Sequence, residues 1–432
     1  MERKIDSKLL LWKNSPGRKP LVLQGARQVG KTYTALTFGK AYYKNTAYFN
    51  MEESSEVSAI FDRDLNPDRL IRELSARNNQ TIFKGDTLII FDEIQACARA
   101  LASLKYFCEE APEYHLIAAG SLLGVAINRE KYSFPVGKVD MLTLYPLDFE
   151  EFLWAVNRRD LCGLIRDAYA EFAPLSIHET AMDYYKTYLV VGGMPRAVFE
   201  YVETLDFNFV MASQHTLIRG YLADMAKYAS PQETVRIIAA WESVPAQLAK
   251  ENRKFQYRII KSGGRAHEFE IPLEWLKTAG VVHVCTRTTE GKMPLAGYAD
   301  PSAFKVYMMD TGLLCSQFDI APNVITDGAA SFDGFKGALA ENYMMQALVA
   351  NGIKPFYWSS PGKAELDFLY QDDCGNIIPI EVKSSDNVRA RSLKSYISIY
   401  HPPYSIRVSA RNFGFENNIK SIPLYAVFCL TR

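Results

Sequence analysis

The sequence predicts an α/β fold whose first domain is a parallel sheet with helices on both faces. Three stretches carry that reading. An apolar strand runs into a glycine-bounded loop across Leu21 to Tyr33, a wholly apolar strand from Thr87 to Phe91 ends in Asp92 and Glu93, and another apolar run covers Tyr114 to Ala119. Strands buried on both faces read as continuous apolar runs, whereas strands of a half-exposed sheet alternate. The alternating segment Asn45 to Asn50 adds a further strand, and helical spacing is expected across Ile60 to Ala76. Four βα units with the loop on the first suffice for a doubly wound sheet.

The loop itself, Gly25-Ala26-Arg27-Gln28-Val29-Gly30-Lys31-Thr32, fits G-x-x-x-x-G-K-[ST] at every position, with Tyr33 continuing the helix it opens. Two glycines let the backbone curl so that its amides point inward, which is how a P-loop cradles phosphate. Lys31 is expected to reach the β- and γ-phosphates of ATP and Thr32 to ligate Mg²⁺. A strand of a parallel sheet delivers carboxylates at its C-terminal edge, beside such a loop. Asp92 is then expected to hold Mg²⁺ through water and Glu93 to orient the attacking water. Ser121, one strand later, reads either as a reporter of the γ-phosphate or as a helix N-cap. The whole reading has two requirements: the acidic pair must face the loop, and the Lys31 ammonium must not be buried against its own protein.

A chain of 432 residues exceeds one ordinary hydrophobic core, so two to four domains are expected. Its 49 Lys and Arg balance 49 Asp and Glu, which removes any argument for attraction of the whole chain to nucleic acid or anionic lipid. Met1 to Asn14 is charged, and its longest apolar run is Leu9 to Trp12. Neither a secretory signal nor a membrane span is expected, which reads as a soluble cytoplasmic protein. Cys97, Cys108, Cys162, Cys285, Cys315, Cys374 and Cys429 never form a C-x-x-C pair, so neither a disulfide framework nor a zinc site is expected.

The motif Gly25 to Thr32, the D-E-I-Q run at Asp92 to Gln95, the G-S-L-L run at Gly120 to Leu123 and the segment Tyr145 to Phe152 together resemble the prokaryotic AAA-type ATPases that carry a C-terminal DUF4143 region. The resemblance spans nearly the whole chain and implies ATP binding and hydrolysis. Members often carry an arginine just before the stretch matching Tyr145-Pro146-Leu147. Gly137-Lys138 is the nearest match here, which leaves an arginine finger unassigned, with Arg129 and Arg27 as candidates. The expected division is a P-loop AAA-type ATPase domain over residues 1–155, a helical lid over 156–232, a winged-helix-like middle over 233–325 and a C-terminal region over 326–432.

In the lid, helical spacing from Leu161 to Glu203 is interrupted at Val191 to Ala197, where Gly-Gly-x-Pro must break the helix. The resemblance implies that Gly193, Met194 and Pro195 sense ATP against ADP; a helix–helix corner explains the same residues. In the middle region, helical patterns over Glu233 to Ala249 and His267 to Thr278 precede strand-like runs at Val281 to Thr286 and Phe304 to Met309, the order of a winged helix. Its second helix, Ile271-Pro272-Leu273-Glu274-Trp275-Leu276, is apolar and acidic where a DNA-reading helix exposes Arg, Lys, Asn or Gln. Packing or partner contact is therefore favoured over DNA readout.

The C-terminal region holds a second chemical signal. Glu341 opens a helix, Asp367 lies on one strand, and Glu381 and Lys383 share one face of the next by period-two geometry. Two carboxylates are suitable hard ligands for Mg²⁺ or Mn²⁺, with the lysine orienting a metal-bound water. This resembles the PD-(D/E)xK nuclease core, a restriction-endonuclease-like α/β fold, with Leu366 where the motif has proline. An ordinary surface E-x-K pair and an inactive nuclease-like fold are the alternatives. Arg389, Arg391 and Lys394 follow, placed either for backbone phosphates or as a solvated helix face. The leading expectation is a Mg²⁺-dependent ATPase switch coupled to a nuclease-like domain engaging DNA. A signalling ATPase that docks a protein partner and a small-molecule kinase are the competing readings, and oligomeric state stays open.

Overall fold

The computed structural model describes residues 1–121, 134–250, 254–327, 333–360, 364–384 and 391–431. The expectations placed on Leu122, Leu123, Arg129 and Arg389 therefore lie outside the described residues. The chain forms two compact units: Met1–Tyr145 with Thr278–Gly280, and Pro146–Lys277 with Val281–Arg432.

The first unit is built on a five-stranded parallel sheet of β1 (Leu21–Gln24), β2 (Asn45–Asn50), β3 (Thr87–Asp92), β4 (His115–Gly120) and β5 (Asp140–Thr143). The spatial order is β2-β3-β4-β1-β5. β3 and β4 are buried along their whole length, as their unbroken apolar runs require. The register pairs Asn50 with Asp92 and Leu23 with Ala119, so the ends of β1, β2, β3 and β4 lie along one edge. Phe49, Phe61, Phe91 and Phe107 pack edge to face in the core. The helical stretch expected across Ile60 to Ala76 is instead two helices, Ser55–Ile60 and Pro67–Arg77. Asn66 caps the second through its side chain, and Pro67 takes the first helical turn, where its missing N–H costs nothing. The buried Arg69 pins the intervening loop by donating to the carbonyls of Ile60 and Asp64 and to the Asp64 carboxylate.

The second unit begins with helices. After Asp148 and Glu151 form a capping box, the chain runs through Phe149–Ala155, Arg159–Glu171, His178–Val191 and Pro195–Thr204. The long helices Phe207–Tyr228 and Pro231–Leu248 follow. The Gly-Gly-x-Pro break falls between the third and fourth helices, and its contacts explain the glycines. Gly192 has φ +70°, and a Cβ at Gly193 would lie 1.9 Å from the carbonyl oxygen of Leu147. The Gly193 N–H donates to Asp310 Oδ2 at 2.6 Å and its carbonyl accepts from Leu147 N at 2.7 Å. Pro195 starts the next helix.

The rest of the unit is one eight-stranded mixed sheet: β6 (Val282–Thr288), β7 (Ala299–Met308), β8 (Phe356–Ser359), β9 (Glu365–Gln371), β10 (Ile377–Val382), β11 (Ser405–Ser409), β12 (Gly414–Glu416) and β13 (Ile419–Pro423). Its order is β12-β13-β11-β10-β9-β8-β6-β7. The hairpin expected as the wing of a winged helix is present as β6 and β7, and it extends this larger sheet. β6 pairs antiparallel with β7 and parallel with β8, matching Thr286 to Phe356, so strands before and after residue 325 share one sheet. The preceding helix, Ala266–Thr278, buries Phe269, Leu273, Trp275 and Leu276, which is a packing face. The helix carrying Glu341 runs Asp333–Ala350 and so starts earlier than its sequence suggests, leaving Glu341 in its interior. Its buried amides tie it down: Asn342 bonds both N–H and carbonyl of Met308, and Gln346 accepts from Thr311 N–H and donates to Tyr188. From that helix onward the connectivity is helix, β8, β9, β10, helix Arg391–Tyr400, β11. The first two strand pairings are antiparallel and the last parallel. Among the described residues, no helix is long and apolar enough to cross a membrane.

Candidate functional site

The loop leaving β1 in the first unit is shaped by backbone that only small or turn-tolerant residues adopt. Gly25 has φ +146°, and a Cβ there would lie 2.2 Å from the carbonyl oxygen of Leu144. Gln28 sits at φ +63° and Gly30 at φ +98°, immediately before the helix Lys31–Tyr42. Arg3, far away in sequence, props this loop by donating to the carbonyls of Val29 at 3.1 Å and Tyr145 at 2.6 Å.

The loop and the acidic strand end face each other, the first of the two requirements read from the sequence. Thr32 Oγ1 donates to Asp92 Oδ2 at 2.8 Å. Tyr48, reaching over from β2, donates to the same oxygen at 2.9 Å, while Asp92 Oδ1 accepts the Glu93 N–H at 3.1 Å. Glu93 holds a left-handed backbone at φ +48°. Its Oε2 accepts from Gln95 Nε2 at 2.5 Å and from Ser121 Oγ at 3.2 Å. Ser121 is buried and thus linked to the carboxylate expected to handle water. Gly25 to Tyr33, Asp92, Glu93 and Ser121 therefore belong to one locality, and Tyr48, Gln95 and Arg3 join it unforeseen.

The second requirement is not met in the ligand-free chain, where the Lys31 ammonium is buried against its own loop. Lys31 is 7% exposed, and its ammonium folds onto the loop's own carbonyls, at 3.0 Å from Gly25 O and 2.8 Å from Ala26 O. A triphosphate must replace these two contacts. Burial pushes the Lys31 ammonium down from 10.5 to about 8, against the opposing pull of Glu93 and Asp92. Between these two values the unfolded chain holds the extra proton, so the stability of the ligand-free protein rises as pH climbs from about 8 to about 10.5. Nucleotide affinity is expected to move the opposite way, because phosphate requires the charged form. The expected loss approaches about tenfold per pH unit above about pH 8, and titration of a fluorescent nucleotide at several pH values checks it. Affinity that stays constant across about pH 7 to 9.5 would contradict this linkage.

In the second unit, Asp367, Glu381 and Lys383 are also brought together. Lys383 Nζ lies 2.8 Å from Glu381 Oε1, Leu393 N–H donates to Glu381 Oε2 at 3.0 Å, and Val382 N–H donates to Asp367 Oδ2 at 2.7 Å. Burial raises the Glu381 carboxyl; Lys383 opposes that shift and the Asp367 charge adds to it. Glu341, buried on its helix, accepts from the Tyr307 hydroxyl at 3.3 Å. An ion pair that sequence reading missed lies on the same sheet, the buried Lys305 to the partly exposed Glu365 at 2.6 Å. Among the described residues, no group of three or more His, Cys, Asp or Glu is arranged to hold a metal ion. Arg391 and Lys394 are exposed at the start of their helix.

Residues 17–153 match the family model of an AAA domain. The chain carries an AAA-type P-loop ATPase domain. Behind this ATPase domain, residues 182–323 match a domain of unknown function, DUF8612, and residues 336–427 match DUF4143, also a domain of unknown function. No protein of curated function matches the chain. Among solved structures, the Walker-type ATPase of Pyrococcus abyssi is similar at 16% identity and a TM-score of 0.45, over 73% of this chain and 95% of that one. The ORC2 protein of Aeropyrum pernix, in ADPNP–ADP complexes, is similar at 13% identity and a TM-score of 0.34, over 75% and 92%. The RuvB branch-migration motor of Thermotoga maritima gives 12% identity and a TM-score of 0.33, over 68% and 90%. Similarity this low adds no functional detail to the ATPase domain.

Proposed function

We propose that the ATPase domain binds and hydrolyses ATP with Mg²⁺, and that the protein uses this as a nucleotide-driven switch coupled to DNA through its DUF4143 region. The observation that carries the first part is the 2.8 Å bond from Thr32 to Asp92, which sets the P-loop hydroxyl against the carboxylate ending β3. Lys31 exchanges its loop carbonyls for phosphate oxygens, and the amides of Gly25 to Thr32 line the same oxygens. Thr32 and Asp92 are the hard oxygen donors that suit Mg²⁺, which supplies charge neutralisation on the phosphates when bound. Glu93 orients and polarises the attacking water, and Ser121 holds the carboxylate that does so. Pro195 and its neighbours are retained as a candidate nucleotide sensor, on the resemblance alone. ATP turnover, measured with and without Mg²⁺ and with and without DNA, tests the whole: Mg²⁺-dependent turnover raised by DNA is expected. No turnover removes the ATPase reading, and turnover indifferent to DNA removes the coupling.

The contacts of the second cluster favour an alternative for the DUF4143 region, a nuclease-like fold that docks a partner without cutting. Both oxygens of Glu381 are engaged by Lys383 and Leu393, and Asp367 holds the Val382 amide, so a Mg²⁺ or Mn²⁺ ion would have to displace protein donors. The helix–β8–β9–β10–helix–β11 connectivity and the grouping of Asp367, Glu381 and Lys383 support nuclease descent. Plasmid nicking with Mn²⁺ by the wild type, Asp367→Ala and Lys383→Ala separates the two. Cleavage lost in both variants establishes the nuclease; no cleavage by the wild type leaves docking.

A further inference from the structure

A phenol from the neighbouring strand, Tyr48, touches the Asp92 carboxylate. β2 is an edge strand of the five-stranded sheet, and its register places Asn50 opposite Asp92 and Tyr48 opposite Ile90. Tyr48 and Asn50 share a face by the period of two, so the tyrosine lies one pleat behind Asp92 with a ring long enough to reach its carboxylate. The hydroxyl arrives at 2.9 Å from Asp92 Oδ2, the same oxygen that Thr32 contacts at 2.8 Å. With the Glu93 N–H on Oδ1, three donors from three segments hold this carboxylate: the P-loop helix, β2 and the chain just beyond β3. A half-buried tyrosine needs no such partner to satisfy its hydroxyl, because water is within reach.

We propose that Tyr48 is a positioning residue for Mg²⁺, clamping Asp92 in the rotamer that presents its carboxylate to the metal beside Thr32. The proposal rests on the ATPase reading above and deepens it. When the Thr32 hydroxyl turns toward a metal, the Glu93 N–H on Oδ1 stays as one anchor of the carboxylate. The phenol supplies a second, charge-assisted anchor that does not itself ligate the metal. Its contribution falls on metal affinity, in the manner of an outer partner that orients a ligand, and not on the chemical step.

The test is the Mg²⁺ dependence of nucleotide binding and turnover in Tyr48→Phe, which keeps the ring and removes only the hydroxyl. The Mg²⁺ concentration at half-maximal turnover is expected to rise about threefold to tenfold, while kcat at saturating Mg²⁺ stays within about twofold. The same shift is expected in the Mg²⁺ dependence of binding a fluorescent ADP analogue. In an Asp92→Asn background, read by that binding signal, adding Tyr48→Phe is expected to cause no further shift. An unchanged Mg²⁺ midpoint in Tyr48→Phe would overturn the proposal, and so would an equal shift with or without the Asp92 carboxylate. A wild type that binds Mg²⁺–nucleotide but does not turn over removes the hydrolysis reading alone, since the binding arm still reports on Tyr48. A general loss of folding is excluded by a melting temperature read on each variant, and a fall in kcat at saturating metal counts against the proposal.

Discussion

Lys31→Ala is expected to abolish ATP binding without unfolding the protein. The ammonium sits in a nearly closed site among loop carbonyls, and burial already lowers its proton affinity to about 8. Alanine relieves that desolvation cost and vacates the space in which water can reach the Gly25 and Ala26 carbonyls, so the melting temperature is expected to hold or rise slightly. A bound triphosphate, in contrast, loses its one buried counter-charge from the loop. Removing one partner of a desolvated ion pair costs about 3–5 kcal/mol, or roughly two to four decades in Kd. Isothermal titration with ATP and Mg²⁺ reads this directly. A Kd within about tenfold of the wild type would contradict the assignment of Lys31 to the phosphates.

Glu93→Gln is expected to bind ATP as well as the wild type and to turn it over about 10²–10⁴-fold more slowly. The amide is nearly isosteric and keeps an oxygen that accepts from Gln95 and Ser121, so the local scaffold survives. The negative charge and basicity that polarise water are lost. Single-turnover kinetics with pre-bound nucleotide separate the chemical step from binding and product release. A loss smaller than about tenfold would place the water-activating group elsewhere.

How much of this was legible in the sequence depends on how local each feature is. The P-loop and the acidic end of β3 are contiguous motifs, and the strands that carry them are apolar runs whose burial follows from composition. Ser121 was found because it ends the next such run. Tyr48 was not, since its role exists only once β2 and β3 lie in register; in the sequence it is one aromatic among alternating residues. Arg3 was invisible for the same reason: 26 residues separate it from the Val29 carbonyl. Apolar spacing reads Ile60 to Ala76 as one helix, whereas Asn66 followed by Pro67, a stronger local signal, starts a new one. The middle region was the harder case. Its helices and hairpin fit a small familiar module, and only the parallel pairing of β6 with β8, formed across β7 and several intervening helices, shows that the hairpin belongs to a larger sheet.

That pairing bears on where the chain can be divided. The two families matched behind the ATPase domain, over residues 182–323 and 336–427, contribute strands to a single hydrogen-bonded array. A gene cut between them would strip β6 and β8 of each other and leave each fragment with an unpaired row of amides and carbonyls, a template for aggregation. The two matched stretches therefore share one sheet, and separating them exposes a new edge on each side of the cut.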